Sequence, residues 1–235
     1  MSDPSALGRV AALVPAAGRG ERLGPGTPKA LREVGGTPML VHAVRALAAS
    51  PLVDLVVVAA PSEYVEHVQS LVIGPQVGAE VAVVAGGDTR SESVARALIG
   101  LPEDVSVVLV HDAARPLVPV EVVTAVASAV REGHSAVIPV VPVVDTIKSV
   151  DDDGNILGTI PREQLRATQT PQGFDREILQ RAHAHVDEAV TDDAGMVESL
   201  GIHVHAVTGH EESFKVTRPI DVVLAEAILA KRRTR

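Results

Sequence analysis

The residues best suited to chemistry are three cations gathered in one loop near the start of the chain. Arg19, Arg22 and Lys29 lie within eleven residues that are otherwise rich in glycine and proline. Small residues let backbone N–H groups approach phosphate oxygens closely, and clustered cations favour an anion with several charges. The loop follows a short apolar run, and ligands of open α/β sheets bind beyond the carboxyl ends of strands. The pattern predicts a loop that wraps a nucleoside triphosphate and directs Lys29 at it.

Three alternatives remain open for this loop when it is considered alone. A dinucleotide-binding fingerprint needs a third glycine where Leu23 stands, and an immediate helix that Pro25 and Pro28 forbid. A Walker-type loop is weaker still, because alanine follows Lys29 where serine or threonine belongs. The third alternative is a solvated basic loop without a ligand.

The composition limits the classes of function. The net charge of −9 makes the chain a poor generic partner for nucleic acid or an anionic membrane, and with 1% aromatic residues it offers few platforms for base stacking. The absence of cysteine excludes disulfides and thiolate chemistry and fits a reducing cytoplasm. No apolar run reaches the length of a membrane span, so we expect a cytoplasmic protein.

The elements that must position the loop alternate between strand and helix in the first part of the chain. Strands are predicted at 9–14, 53–60, 80–85, 105–110 and 135–140. Helices are predicted from Pro38 to about 50, at 62–72, after the Gly86–Asp88 turn to about 100, and at 120–131. This alternation predicts a doubly wound parallel sheet. We expect one domain over 1–235.

The pattern changes after residue 140. Two polar strands at 145–150 and 156–160 flank an Asp- and Gly-containing turn, which predicts a β-hairpin. Such a hairpin projects from a compact domain, either to cover a site or to grip a second subunit. Helices are then predicted at 175–186, 192–200 and 219–231, and strands at 202–207 and 213–216.

Several sequence blocks together resemble one enzyme family. They are Pro15-Ala16-Ala17-Gly18-x-Gly20-x-Arg22-Leu23 with Pro28-Lys29, Gly86-Gly87-Asp88-Thr89-Arg90-x-x-Ser93-Val94, Val110-His111-Asp112-Ala113-Ala114-Arg115-Pro116, Asp145-Thr146-Ile147-Lys148, Thr170-Pro171-Gln172, Thr191-Asp192-Asp193-Ala194 and Phe214-Lys215-Val216-Thr217-Arg218-Pro219. In this order they resemble the cytidylyltransferases that act on 2-C-methyl-D-erythritol 4-phosphate in the non-mevalonate isoprenoid pathway. Each block is weakly specific alone, whereas the ordered set spans nearly the whole chain.

The resemblance implies a three-layer α/β/α Rossmann-like nucleotidyltransferase sheet and assigns roles to particular residues. It implies that Arg22, Lys29 and Lys215 act on the phosphates during catalysis. It implies a CTP site made by Pro15, Ala16, Ala17, Gly18, Gly87, Asp88 and Ser93. It implies an acceptor site that includes Asp112, Arg115, Thr146, Arg162 and Thr191.

The resemblance also implies a homodimer in which residues 143–162 form an exchanged arm, so that Thr146 and Arg162 complete the partner's acceptor site. Ile147 and Pro161 depart from the family pattern without removing a charge. Mg²⁺ is expected because it bridges nucleotide phosphates and keeps several waters, and no direct protein ligand is named. A metal pair at His203 and His205 is set aside because no third ligand is in view.

Residue types open further alternatives for single positions. Asp88 or Thr191 with Asp192 could be helix caps, Lys215 an ordinary exposed residue of a strand, and Arg115 a buried partner of Asp112. His111 is assigned a packing or hydrogen-bond role. For the whole chain, the alternatives are ribitol-5-phosphate cytidylyltransferase, which the Ala113-Ala114-Arg115 form disfavours by resemblance, a sugar-1-phosphate nucleotidyltransferase, and a non-catalytic nucleotide-binding module.

Overall fold

A mixed β-sheet with helices on both faces forms the body of the molecule. The computed structural model describes residues 8–18, 28–72, 78–185 and 192–234. The strands are β1 (Arg9–Pro15), β2 (Glu33–Val34), β3 (Thr37–Pro38), β4 (Leu55–Ala60), β5 (Glu80–Ala85), β6 (Val105–Val110), β7 (Ala136–Pro142), β8 (Ile147–Val150), β9 (Ile156–Ile160), β10 (Arg166–Thr168), β11 (Gln172–Asp175) and β12 (His205–Thr208). The helices are α1 (Met39–Ala48), α2 (Val65–Val72), α3 (Arg90–Ile99), α4 (Val120–Arg131), α5 (Arg176–Ala184), α6 (Asp193–Ser199) and α7 (Pro219–Arg233).

The main sheet has the strand order β10-β7-β11-β6-β1-β4-β5, with β12 also paired to β7. Strand β1 is parallel to β4 and β6, and β4 is parallel to β5, so the carboxyl ends of these four strands meet at one edge. Strand β11 runs antiparallel to β6 and β7, and β10 runs antiparallel to β7. The sequence pattern predicts neither β10 nor β11, which are three and four residues long.

Alternate residues of the central strands serve two separate cores. Val10, Ala12 and Val14 of β1 face a cluster that includes residues of α1, α2 and α4. Ala11 and Leu13 face a second cluster that includes residues of α3, α5 and α6. Every residue from Leu55 to Ala60 is buried, as expected of a central parallel strand covered on both faces. The three-layer α/β/α arrangement is therefore confirmed.

Two local predictions, the start of the first helix and a strand at 213–216, are wrong. Pro38 is the residue before α1 rather than its first residue, because Thr37 and Pro38 pair with Glu33 and Val34 in a small antiparallel ladder. Residues 213–216 do not form a strand. A 3-10 turn spans Glu211–Ser213, and the extended residues that follow are fixed by one hydrogen bond from the Val216 N–H to the Ala114 carbonyl, 2.8 Å.

The predicted hairpin is present as a two-stranded sheet of its own. Strands β8 and β9 pair antiparallel, with Ile147 opposite Ile160. Several of its apolar side chains are exposed, among them Val150, Ile156 and Leu157. Within the described ranges, no helix is long and apolar enough to cross a membrane.

Candidate active site

Three loops meet at the edge where the parallel strands end. Residues 16–18 follow β1, residues 86–89 follow β5 and lead into α3, and residues 111–116 follow β6. A cavity of about 240 Å³ at this edge is lined by residues of the first and third loops and by Arg90 and Ser93 of α3. The predicted site residues that line it are Pro15, Ala16, Ala17, Gly18, Lys29, Ser93, Asp112 and Lys215. Ligands of open α/β sheets bind at this edge, so the geometry fits the expectation from the sequence.

Lys29 and Lys215, which are far apart in the sequence, line the same cavity. Lys29 begins a 3-10 turn over Lys29–Leu31, and the burial of Ala30 and Leu31 anchors that turn in the core. Lys215 is set by the hydrogen bond of its neighbour Val216 to the loop after β6. The two ammonium groups therefore face one hollow of a size suited to phosphate groups.

Asp112 is the carboxylate at the centre of the cavity. Its Oδ2 lies 2.7 Å from the Lys215 Nζ, and its Oδ1 accepts a hydrogen bond from the Arg90 Nε at 3.2 Å. Burial acts to raise the pKa of Asp112, but the charges of Arg90 and Lys215 outweigh it and hold that pKa well below its usual value. Asp112 is therefore ionised across the neutral range and binds cations on both sides.

Arg90 lines the cavity, but the sequence analysis gave it no role. It is the first residue of α3, and its Nη1 donates to the Asp193 Oδ2 at 2.7 Å. Burial acts to lower the pKa of Arg90, but Asp193 and Asp112 raise it well above its ordinary value. The available signal was its place in the block between Gly86 and Ser93, beside a helix start.

Thr89, not Asp88, caps that helix. The Thr89 hydroxyl accepts from the Glu92 N–H, and the Glu92 carboxylate accepts from the Thr89 N–H, which completes a capping box. The capping alternative for Asp88 is therefore wrong. Asp88 is exposed, and neither Asp88 nor Gly87 lines the cavity.

Gly86 lets two of the site loops touch. A Cβ added at Gly86 would lie 2.8 Å from the Ala17 Cβ and 2.9 Å from the Ser93 Oγ. The Ser93 hydroxyl donates to the Thr89 carbonyl at 2.9 Å and accepts from the Gly87 N–H at 3.1 Å. The absence of a side chain at 86 therefore allows the loop after β5 to pack against the loop after β1.

His111 is fully buried and links the loop after β6 to the segment before β11. Its Nε2 lies 3.2 Å from the Arg115 carbonyl and its Nδ1 lies 3.0 Å from the Thr170 Oγ1. Burial lowers the pKa of His111 to about 4, so the ring is neutral near pH 7. A carbonyl only accepts, so Nε2 carries the proton and Nδ1 accepts from the Thr170 hydroxyl. The structure thus agrees with a hydrogen-bonding role for His111.

Arg115 does not pair directly with Asp112, and it does not line the cavity. Its guanidinium donates to the Ser213 carbonyl at 2.7 Å and to the Thr168 carbonyl at 3.2 Å. Burial lowers the pKa of Arg115, and the nearby charge of Asp112 opposes that change. Arg115 therefore ties the end of β10 and the turn before Lys215 to the loop after β6.

The remaining predicted residues lie away from the cavity or outside the described residues. Thr146 and Arg162 are exposed on the hairpin, where the Arg162 Nη1 donates to the Val144 carbonyl. Arg22 and Thr191 lie outside the described residues. Asp192 is the cap of α6, because its carboxylate accepts from the Gly195 N–H at 3.0 Å.

The described residues contain no group of three or more His, Asp or Glu side chains that could hold a metal ion. Both oxygens of Asp112 already bind cationic side chains. His205, one of the two histidines weighed as a metal pair, stacks on His134 with ring centroids 3.8 Å apart.

Comparison with known proteins identifies a family for the chain. The profile of the family described as 2-C-methyl-D-erythritol 4-phosphate cytidylyltransferase matches residues 10–231. A protein of that name from Frankia casuarinae is 60% identical over 228 residues, covering 97% of this chain and 84% of the relative. One from Streptomyces coelicolor is 58% identical over 233 residues, covering 96% of this chain and 86% of the relative.

Solved structures of similarly named proteins share the fold. The 4-diphosphocytidyl-2C-methyl-D-erythritol synthase of Anaerococcus prevotii superposes with a TM-score of 0.84 at 26% identity, covering 97% of this chain and all of that one. The 2-C-methyl-D-erythritol 4-phosphate cytidylyltransferase of Thermus thermophilus gives a TM-score of 0.72 at 36% identity, covering 94% and 98% of the two chains. The fold and the sequence therefore point to the same family.

Proposed function

The chain belongs to the 2-C-methyl-D-erythritol 4-phosphate cytidylyltransferase family, and on that premise we propose that it joins CMP from CTP to 2-C-methyl-D-erythritol 4-phosphate. The products are 4-diphosphocytidyl-2-C-methyl-D-erythritol and pyrophosphate, in the non-mevalonate route to isoprenoids. A phosphate oxygen of the acceptor forms a bond to the α-phosphorus of CTP, and the bond from that phosphorus to the β-phosphate bridging oxygen breaks. No protein nucleophile is needed, because the acceptor phosphate is the nucleophile.

One observation carries the proposal: Lys29 and Lys215 line a single cavity beside the small-residue loop after β1. The transition state gathers negative charge on oxygens that are already anionic, so preorganised cations stabilise it more than they stabilise the bound substrates. We assign Lys29, together with Arg22, to the triphosphate. We assign Lys215 to the α-phosphate and the incoming phosphate. The backbone of Ala16, Ala17 and Gly18 would hold the nucleotide.

We propose that the loop after β5 reads the base and the ribose of CTP. Ser93 of α3 lines the cavity, and its hydroxyl accepts a hydrogen bond from the Gly87 N–H of the loop after β5 at 3.1 Å. A cytosine amine requires hydrogen-bond acceptors, and the Asp88 carboxylate or a backbone carbonyl of this loop can supply them. The contact of Gly86 with Ala17 would keep the base-reading loop at a fixed distance from the phosphate-binding loop.

We propose that the acceptor binds on the Asp112 side of the cavity. Asp112 would accept from acceptor hydroxyls or orient water, and Arg115 would hold the segment that carries Lys215. Thr146 and Arg162 are exposed on the hairpin of the same chain, away from the cavity. They can serve an acceptor site if the hairpin, as an arm over residues 143–162, reaches a second subunit. We therefore propose a homodimer with sites completed across subunits, and Thr191 as a further acceptor contact.

Mg²⁺ fits this site as an ion carried by the nucleotide. Asp112 is the cavity carboxylate, and its two oxygens are bound by Arg90 and Lys215, so the donor set suits an ion held mainly by phosphates and water. When bound, the ion would neutralise phosphate charge. Lys29 and Lys215 would position the phosphates around it. We also propose that the enzyme works in the cytoplasm, where reduced conditions suit a chain without cysteine.

A matrix of nucleotides and acceptors tests the proposed function. The purified protein is offered each of CTP, ATP, GTP and UTP with 2-C-methyl-D-erythritol 4-phosphate, ribitol 5-phosphate or a sugar 1-phosphate, and pyrophosphate release is measured. We expect release only with CTP and 2-C-methyl-D-erythritol 4-phosphate. Preference for ribitol 5-phosphate or for another base would replace the proposed substrates. CTP binding without release in any combination would show a non-catalytic module.

A further inference from the structure

Arg90 lies between two carboxylates that belong to different parts of the fold. Its Nε donates to the Asp112 Oδ1 at 3.2 Å, and its Nη1 donates to the Asp193 Oδ2 at 2.7 Å. Asp112 follows β6 and lines the cavity, whereas Asp193 opens α6 and is fully buried. The planar guanidinium can bond both carboxylates at once, which a lysine ammonium in one position matches poorly.

Asp193 is held in turn by a residue that does not line the cavity. Its Oδ1 accepts from the His183 Nε2 of α5 at 2.9 Å, and the His183 side chain is only 5% exposed. Gln172 of β11 fixes the start of α6, since its Nε2 donates to the Asp192 Oδ2 and its Oε1 accepts from the Ala194 N–H. The position of Arg90 is therefore determined by buried groups that do not line the cavity.

The hydrogen bond of Arg90 to Asp112 decides how Asp112 meets Lys215. With Oδ1 bound to Arg90, the carboxylate presents Oδ2 to the Lys215 Nζ at 2.7 Å. One carboxylate charge is then shared between two cations. Without Arg90, Asp112 would be balanced by Lys215 alone, and their closer pairing would draw the ammonium away from a substrate phosphate.

We propose that Arg90 is a positioning residue that places Lys215 through Asp112, and that Asp193 and His183 hold Arg90 in register. The inference rests on the proposed nucleotidyl transfer, because it assigns Arg90 a part in the same reaction. Arg90 acts on the transition state through Lys215. CTP binding depends mainly on the loop after β1 and on Lys29. Loss of Arg90 should therefore lower kcat far more than it changes the KM for CTP.

Five variants and a control test the chain of contacts. Arg90→Gln is expected to lower kcat by about 100-fold with less than about a threefold change in the KM for CTP. Arg90→Lys keeps the positive charge but not the planar guanidinium that bonds two carboxylates. Its kcat is expected to stay at least about 10-fold below that of the wild type. The control is Arg176→Gln, since Arg176 donates to three backbone carbonyls of residues 101–105 and does not line the cavity. Its kcat should match the wild type even where its melting temperature falls.

A matched pair at position 183 tests the anchor. His183→Leu removes the donor to Asp193 and is expected to lower kcat about 10-fold, whereas His183→Gln keeps an N–H donor and should recover most of that loss. Asp193→Asn tests the same link from the other side. Full activity in Arg90→Gln, full recovery in Arg90→Lys, or equal rates for the two position-183 variants would overturn the proposal.

A binding measurement separates this inference from the proposed function. Lys215 is assigned to the incoming phosphate, and it should bind inorganic phosphate at that place whether or not the acceptor is correctly identified. Calorimetric titration with inorganic phosphate therefore reports on the placement of Lys215. We expect Arg90→Gln to weaken phosphate binding about 10-fold, and Lys215→Ala to weaken it by a similar factor. If the wild type shows no turnover but Arg90→Gln still weakens phosphate binding, the proposed function fails and the positioning role stands. If the wild type is active and Arg90→Gln leaves both phosphate binding and turnover unchanged, the positioning role fails and the proposed function stands.

Discussion

The cavity edge of the sheet and the hairpin arm differ in whether contacts within one chain hold their side chains in place. At the cavity edge, Asp112 forms ion pairs with both Arg90 and Lys215, so these three charged groups fix one another. On the hairpin, Thr146, Arg162 and apolar residues such as Ile156 and Leu157 are exposed in their own chain. The first region is organised within one subunit. The second presents polar and apolar groups that its own chain leaves exposed.

This contrast divides the proposed site into two parts with different dependence on assembly. The groups proposed to bind the triphosphate are brought together by the fold of one chain, through the parallel strands β1 and β6. Acceptor groups on the arm would reach a site only after two chains meet. Nucleotide binding should therefore survive in a subunit whose arm is disabled, while transfer should not.

The largest effect is expected from removing a cation of the cavity. Lys215→Ala and Lys29→Ala should each lower kcat/KM by about 10³-fold, because each removes a preorganised charge from the transition state. Asp112 would still be paired with Arg90 after loss of Lys215, so the variant should remain folded. Steady-state kinetics and circular dichroism measure the two outcomes. Lys231→Ala, in the last turn of α7, is the matched control. Near-normal rates in either cavity variant would remove the basis of the proposed mechanism.

An intermediate effect is expected when the two regions are disabled in different chains. Arg162→Ala and Lys29→Ala homodimers should each be nearly inactive. After subunit exchange in an equal mixture, half of the dimers combine the two variants and hold one intact site of two, so about a quarter of wild-type activity should return. Subunit exchange is confirmed by mass spectrometry of differently tagged chains. Complete subunit exchange without recovered activity would place Arg162 and Lys29 of the same chain in one site, and would contradict an arm that serves the partner's site.

The smallest effect is expected in the pH dependence of stability. Burial lowers the pKa of His111 from 6.5 to about 4. Between pH 6.5 and about pH 4, the His111 ring therefore binds a proton in the unfolded chain but not in the folded chain. Stability should therefore fall by about 1.4 kcal/mol per pH unit as the pH drops through this window. Urea unfolding at pH 7, 6 and 5 measures the slope.

His111→Gln supplies the reference for that slope, because it removes the titrating ring. The same slope in the variant and the wild type would contradict the assignment to His111. The contribution of Asp112 does not interfere. Its pKa is held below its usual value, so that its stabilisation is complete above pH 3.8 and is lost at lower pH. Residues 143–162 contain no histidine, so hydrogen exchange in the arm should change less than exchange in β6 across this range.

The sequence predicted the parts of the fold that local patterns control. The apolar runs that became β1, β4, β5 and β6 were continuous and bounded by turns, and the block order pointed to the family. Strands β10 and β11 escaped prediction because they are short, and because their pairing with β7 and β6 depends on segments distant in sequence. The stretch around Lys215 has a strand-like composition, but it joins no sheet, and the Val216 N–H donates to the Ala114 carbonyl of the loop after β6 instead.

Site residues could be predicted where they belong to a recognised sequence block. They could not be predicted where only contacts between distant parts of the fold reveal their role. Lys29, Asp112 and Lys215 were chosen by type and block, and they meet in one cavity. Arg90 stood in a quoted block but carried no local sign of its function, because its two carboxylate partners come from other elements of the fold. For Arg115, the resemblance implied a place in the acceptor site, and the residue type left a pairing with Asp112 open. Its guanidinium instead donates to two backbone carbonyls.

The bare Cα of Gly86 has a consequence for how this enzyme can diverge. Since even a methyl group there would collide with Ala17, the two loops at this contact cannot be altered independently. A change of preferred nucleobase would have to be made by substitutions farther along the loop after β5, or else be accompanied by a smaller residue at position 17. In a saturation library, position 86 should accept a side chain only together with a second substitution. A change of specificity that needs a side chain at position 86 therefore cannot be reached by one substitution.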